Sequence, residues 1–207
     1  LNDHRDNLRS LHAQNSAPNP YRTVPGVWAQ LPDGREWGAT SLVDVSPDGE
    51  TIWAVDRCGE NNCFGHDDLD VIFQFDKQGR ILAQFGAGMF EWPHGIGVDG
   101  EGNVWVVDAR GSEERGRGHQ VIKFSPEGEV LLRLGTAGVA GRTETTLDQP
   151  NDVLVAPNGD IFVGDGHPNR GANNRIVKYS SDGTYLMEWG EPGSGRGQFM
   201  VPHALAM

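Results

Sequence analysis

Few side chains in this chain can do chemistry, and their spacing narrows the choice. Seven histidines and two cysteines are present. His94 in WPHGIG and His203 in VPHALA share a Pro-His context, and Asn151 fills the same place in QPNDVLV. Imidazole accepts protons near neutral pH and ligates metals. Cys58 and Cys63 sit in DRCGENNC around turn-forming residues. They suit either a small disulfide loop or a pair of free thiols, and two cysteines alone do not close a zinc site. A bond there implies an oxidising compartment, secreted or periplasmic. His66 lies in an acidic loop with Asp67, Asp68 and Asp70, His119 begins a strand, and His4 and His12 fall in a polar N-terminal stretch. No GxSxG or HExxH motif occurs. The Gly-rich GSEERGRG does not open a helix after a strand, so it is not a dinucleotide fingerprint.

The elements that position these residues are legible from repetition. Three segments align. LVDVSPDGETIWAVDR precedes DVIFQFDKQGRILAQFG, IGVDGEGNVWVVDA precedes QVIKFSPEGEVLLRLG, and DVLVAPNGDIFVGDG precedes NRIVKYSSDGTYLMEWG. Trp53, Trp105 and Phe162 share one position, which reads as core packing between units. Asp56, Asp108 and Asp165 share another, with spacings of 52 and 57. Recurrence in every unit argues for strand-end hydrogen bonding rather than catalysis. Gly79, Gly128 and Gly183 mark the last turn, and Gly86, Gly135 and Gly190 close each unit. Four short strands per unit of about 50 residues is the pattern of a β-propeller blade. The expected class is all-β, with blades at about 41–86, 94–135 and 150–190 and the start of a fourth at 200–207. Residues 1–40 form a polar segment and a lead-in strand, VWAQL. A propeller needs at least four blades to close. About three and a half blades therefore read as a fragment of a longer chain, or as part of an oligomeric ring.

The chain has 207 residues, with 37% hydrophobic, 22% charged and a net charge of −12. The 29 glycines and 12 prolines disfavour long helices. No 18-residue apolar run is present to span a membrane. The acidic excess repels phosphate backbones and anionic lipid, so neither nucleic acid nor membrane is an expected partner.

DRCGENNC, GAGMFEWPHGIGVDGEGNVWVVD, GHQVIKFSPEGEVLLRLG, GDGHPNRGANNRIVKYSSDGTYLMEWG and GQFMVPHALAM resemble the peptidyl-α-hydroxyglycine α-amidating lyases over residues 40–207. That resemblance implies a six-bladed propeller of NHL-like repeats with a catalytic zinc in its channel. It implies a carbon–nitrogen lyase (a peptidylamidoglycolate lyase type) that splits a C-terminal hydroxyglycine into peptide amide and glyoxylate. Carried over residue by residue, His94 and His203 are two of three zinc histidines, and the third belongs to a later blade. In a six-bladed ring, alternate blades lie about 120° apart, so histidines at the same inner position of alternate blades converge on the axis. Three imidazoles leave one zinc position open, as catalysis needs. Arg57 matches the family's arginine and would hold the substrate carboxylate, against a plainer surface pairing with Asp56 or Glu60. His167 stands where the family has a tyrosine base; it is the candidate for that role, against the alternatives of binding metal or lining the rim. The resemblance also implies a structural calcium on the backbone carbonyls of Val43 and Ile96.

Two other functions compete with the lyase. One is a non-catalytic NHL-type propeller binding a peptide or protein at its channel mouth. The other is a metal-dependent hydrolase or lactonase, for which Asn151 and Asp152 are the only hint.

Overall fold

The computed structural model describes residues 28–167 and 173–207, together with Pro18 and Arg22. The expected histidines His4 and His12 lie outside the described residues. Among the described residues, twelve strands fall in three four-stranded antiparallel sheets. Blade one holds β1 (Val43–Val45), β2 (Thr51–Val55), β3 (Ile72–Asp76) and β4 (Ile81–Phe85). Blade two holds β5 (Pro93–Val98), β6 (Val104–Asp108), β7 (Gln120–Phe124) and β8 (Val130–Leu134). Blade three holds β9 (Pro150–Val155), β10 (Ile161–Asp165), β11 (Arg175–Tyr179) and β12 (Tyr185–Trp189). Each sheet is a meander in chain order. Among the described residues no helix is long and apolar enough to cross a membrane.

The apolar runs are explained by burial of the middle strands on both faces. Successive side chains of a strand point to opposite sides. Trp53 and Val55 therefore enter the core shared with blade two, while Ala54 enters the core on the outer side with Phe73 and Phe75. Val104 and Val106 face blade one, and Trp105 and Val107 face blade three. VWVVD is thus apolar at four consecutive positions because both faces are covered. Register irregularities recur at one place in every blade, between Gln74/Phe75, Lys123/Phe124 and Lys178/Tyr179. Gly86, Gly135 and Gly190 close the blades at φ 99°, 87° and 97°. At Gly135 a Cβ would also lie 2.4 Å from the His119 carbonyl, so both the angle and the space require glycine.

Two expectations change. Trp28–Leu31 of VWAQL form no strand, and Val27 lies outside the described residues. Ala29 and Leu31 instead bury against Phe73 and Phe75, so hydrophobic contact rather than a ladder holds this segment. Val201–Met207 also form no strand, since no second strand is present among the described residues to complete a ladder. The segment is nevertheless seated. Leu205 N–H donates to Asp152 Oδ2 at 2.8 Å, and the Pro202 carbonyl passes where a Cβ on Gly164 would stand.

The recurring aspartates act as clips. Asp56 accepts from Gly38 N–H at 2.6 Å, Asp108 from Trp92 N–H at 2.7 Å and also from Glu91 N–H, and Asp165 from Asp148 N–H at 2.7 Å. In each blade the end of the second strand thereby grips the segment that leads into the first. Burial, reinforced by the neighbouring Glu91, lifts Asp108 to about 7.

Asp108→Ala would leave the Glu91 and Trp92 N–H groups buried without an acceptor, at about 1–3 kcal/mol each. Urea melts should show a clear loss of stability, with exposed Glu127→Ala shifting it by less than about 0.5 kcal/mol. Coincident melts for D108A and the parent would show the clip to be dispensable.

Candidate metal and substrate site

The register defines one equivalent place per blade at the start of the first strand. Val43, Ile96 and Val153 pair with Ala54, Val106 and Val163. Two residues before them stand Ser41, His94 and Asn151. Successive blades are joined there. Ser41 Oγ donates to the His94 carbonyl in a short hydrogen bond, and His94 Nδ1 lies 3.0 Å from the Asn151 carbonyl. Asn151 Nδ2 in turn donates to the Gly166 carbonyl. A neutral His94 facing that carbonyl carries its proton on Nδ1, which leaves the Nε2 lone pair free as a ligand.

The ends of the second strands supply the other half of the site. Arg57 follows Asp56 directly, while Arg110 and His167 each stand two residues after Asp108 and Asp165. His167 reaches His94 and His203. The ring centroids lie 5.4 Å apart for His94–His167, 4.9 Å for His94–His203 and 5.6 Å for His167–His203. One nitrogen from each ring lies within 4.8 Å of the others. His167 Nδ1 is buried and has no hydrogen-bond partner. Three imidazoles, one with an orphaned nitrogen and one with a fixed tautomer, could hold a divalent metal of the imidazole-binding type.

Arg57 is only 6% exposed and pairs with neither Asp56 nor Glu60. Its Nε donates to the Pro93 carbonyl at 2.7 Å and its Nη1 to Asn61 Oδ1 at 2.7 Å. Asn61 sits inside the loop closed by the Cys58–Cys63 disulfide, and its carbonyl accepts from Trp92 Nε1 at 2.8 Å. Of the two readings open at the cysteines, the bonded one is found. Arg57 and Arg110 both stack on Trp92, with guanidinium carbons 4.6 Å and 4.0 Å from the ring centroid. Sequence reasoning missed Arg110, Trp92 and Asn61. The available signal was position, because Arg110 leaves its strand as His167 does.

These groups depress one another. Burial, and then the Arg57 cation, lowers His94 to about 4. Burial, followed by the Arg110 charge, lowers His167 to about 4. Burial and Arg110 also lower Arg57. Neither Arg57 nor Arg110 has a carboxylate partner among the described residues.

The remaining candidates lie apart from this cluster. Val43 and Ile96 line a cleft of about 280 Å³ that Asp44 and Asp152 also border. His66 is 3.4 Å from Glu60, and Asp67 pairs with Arg115 and Arg117 rather than forming an open acidic loop. His119 accepts from Gln149 N–H.

Three repeated four-stranded blades with channel-facing residues at their strand starts define a β-propeller of the NHL type. No family model matches the chain. It is 34% identical over 193 residues to a probable peptidyl-α-hydroxyglycine α-amidating lyase of Caenorhabditis elegans, covering 84% of this chain and 51% of that protein. It is 38% identical over 146 residues to the peptidyl-glycine α-amidating monooxygenase of Mus musculus, covering 67% of this chain and 14% of that protein. It is also 33% identical to human NHL repeat-containing protein 3, over 68% of this chain and 40% of that protein. Among solved structures, a Staphylococcus aureus virginiamycin B lyase aligns at TM-score 0.50 and 16% identity, over 81% of this chain and 45% of that one. That likeness is one of fold. The chain belongs to the peptidyl-α-hydroxyglycine α-amidating lyase family, and it spans about half the length of the worm relative.

In metal-free protein, His94 and His167 bind protons more weakly when folded than when unfolded. Their contribution to stability is complete above pH 6.5 and is lost as pH falls toward about 4. The melting temperature of a His94→Gln, His167→Gln variant should depend less on pH across that window. Asp108 titrates in both proteins and cancels in the comparison. Parallel profiles would show that the two imidazoles are not depressed.

Proposed function

We propose that this chain carries the catalytic end of a carbon–nitrogen lyase. The substrate is an N-acyl-α-hydroxyglycine, a carbinolamide, and the products are an amide and glyoxylate. The observation that carries this reading is the meeting of His94, His167 and His203 within 4.8 Å of one another. Its setting beside Arg57, in a chain whose relatives bear amidating-lyase names, gives the chemistry.

In this reading His94 and His203 are zinc ligands, His167 stands beside the metal rather than on it, and Val43 and Ile96 border a structural calcium site. Zinc, when bound, supplies Lewis acidity toward the substrate hydroxyl. Arg57 holds the substrate carboxylate, its fork kept rigid by Pro93, Asn61 and Trp92. His167 takes the hydroxyl proton. The freed O–H electron pair becomes the aldehyde C=O of glyoxylate as the C–N bond breaks. The nitrogen leaves as the amide once the same proton is returned to it, so neither water nor an oxidant is consumed. A low pKa keeps His167 unprotonated at pH 7, and its weakness as a base is offset where bound zinc acidifies the substrate hydroxyl. The Cys58–Cys63 bond favours a secreted or periplasmic setting.

The test uses the whole protein that contains this chain, loaded with zinc, and a short N-acyl-α-hydroxyglycine. Equal amounts of amide and glyoxylate should appear. His94→Ala should lose bound zinc by elemental analysis and lower kcat/KM by ~100-fold or more. Absence of glyoxylate from every hydroxyglycine substrate, with zinc bound, would refute the assignment.

A further inference from the structure

Arg57 and Arg110 share the Trp92 ring but are not equally free. Arg57 has already committed Nε and Nη1 to protein acceptors. Among the described residues, Arg110 donates only through Nε, to Gln149 Oε1 at 3.1 Å, and neither of its terminal nitrogens has a partner. It is also partly exposed, whereas Arg57 is buried.

Arg110 stands on a fixed support. It opens the loop 110–118, whose neck is pinched by two glycines. A Cβ on Gly111 would lie 1.8 Å from the Arg117 carbonyl, and one on Gly118 would lie 2.3 Å from the Arg110 carbonyl carbon. Only glycine lets the two sides of the neck approach this closely. A bridge between Ser112 and Arg117 closes the loop above it. Trp92 then holds the guanidinium by its ring face.

The surrounding charges supply the second half of the argument. Two guanidinium groups and three imidazoles converge in a chain whose net charge is −12. Acidic residues are plentiful elsewhere, yet none among the described residues pairs with either arginine. Paired cations without a counter-ion repel each other and are relieved by an anion between them.

We propose that Arg110 is a substrate-binding residue of this site and takes, with Arg57, the carboxylate of a small α-hydroxy acid derivative. The ligand class is a carboxylate whose neighbouring carbon bears a hydroxyl that can reach the histidine cluster. Arg57 forms the rigid floor and Arg110 the solvent-facing half of the clamp. This assignment rests on the lyase reading for its substrate, but the anion clamp itself can be tested apart from turnover.

The experiment compares the parent, Arg110→Gln and Arg110→Lys in the zinc-loaded whole protein. Calorimetry with glycolate, and with its uncharged counterpart glycolamide, reads the clamp directly. Glycolate affinity should fall about 10–100-fold in R110Q, the scale of one lost charge-assisted hydrogen-bonded pair. It should recover in part in R110K, while glycolamide binding changes little. On an N-acyl-α-hydroxyglycine, KM should rise by a similar factor in R110Q, more than kcat falls. Unchanged glycolate affinity in R110Q would overturn the proposal even if glyoxylate release is intact. Equal losses for glycolate and glycolamide would also overturn it, because they would mark a structural role. Loss of glycolate binding in R110Q from a protein that releases no glyoxylate would uphold the clamp and reject only the lyase reading.

Discussion

A buried carboxylate at the end of each blade's second strand organises this molecule. It is spent on backbone N–H groups of the segment leading into the first strand. One bond set therefore fixes two sequence-distant residues together. Asp108 fixes the path into His94 and the path out to Arg110. Asp165 does the same for Asn151 and His167, and Asp56 for Ser41 and Arg57. The cost is substantial, since a carboxylate out of water is disfavoured and Asp108 rises accordingly. Loops alone could not hold imidazoles and guanidinium groups in register on a common axis.

The second theme is separation of charge. Many carboxylates stand on exposed turns and others are buried as clips, while the candidate site collects arginine and histidine. His94 and His167 resist protonation there because of burial and then of the arginine charges beside them. The histidines therefore remain lone-pair donors at neutral pH, and the permanent positive charge comes from arginine alone. Trp92 separates these tasks physically by stacking both guanidinium groups while its edge meets His94 and His167.

Much of the architecture was legible because it repeats. The Asp and Gly positions stand in register in the sequence itself, and each has one structural use in every blade. The segments that failed to become strands are those where repetition stops. VWAQL has a strand-like composition but no ladder partner, and burial against Phe73 and Phe75 decides its course. Val201–Met207 keeps the motif of a first strand without the neighbour that would pair it. Among site residues, His94 and His203 were visible through their shared Pro-His context. His167 was noticed only as a departure from the family tyrosine. Arg110 was hidden because it begins a loop of variable length, where alignment by register loses its footing.

The bonds that Ser41 and His94 make to the next blade's backbone have a further consequence. Ser41, His94 and Asn151 occupy equivalent sockets, and the backbone carbonyls at His94 and Asn151 are each met by the side chain of the preceding socket. A side chain exchanged at one socket therefore leaves its own backbone bond in place but gives up the bond it makes to the next blade. Chemistry in such a molecule behaves like type set in a frame, where each letter also wedges the one beside it. His167, arriving from a second-strand exit, shows that a second row of type exists beside the first.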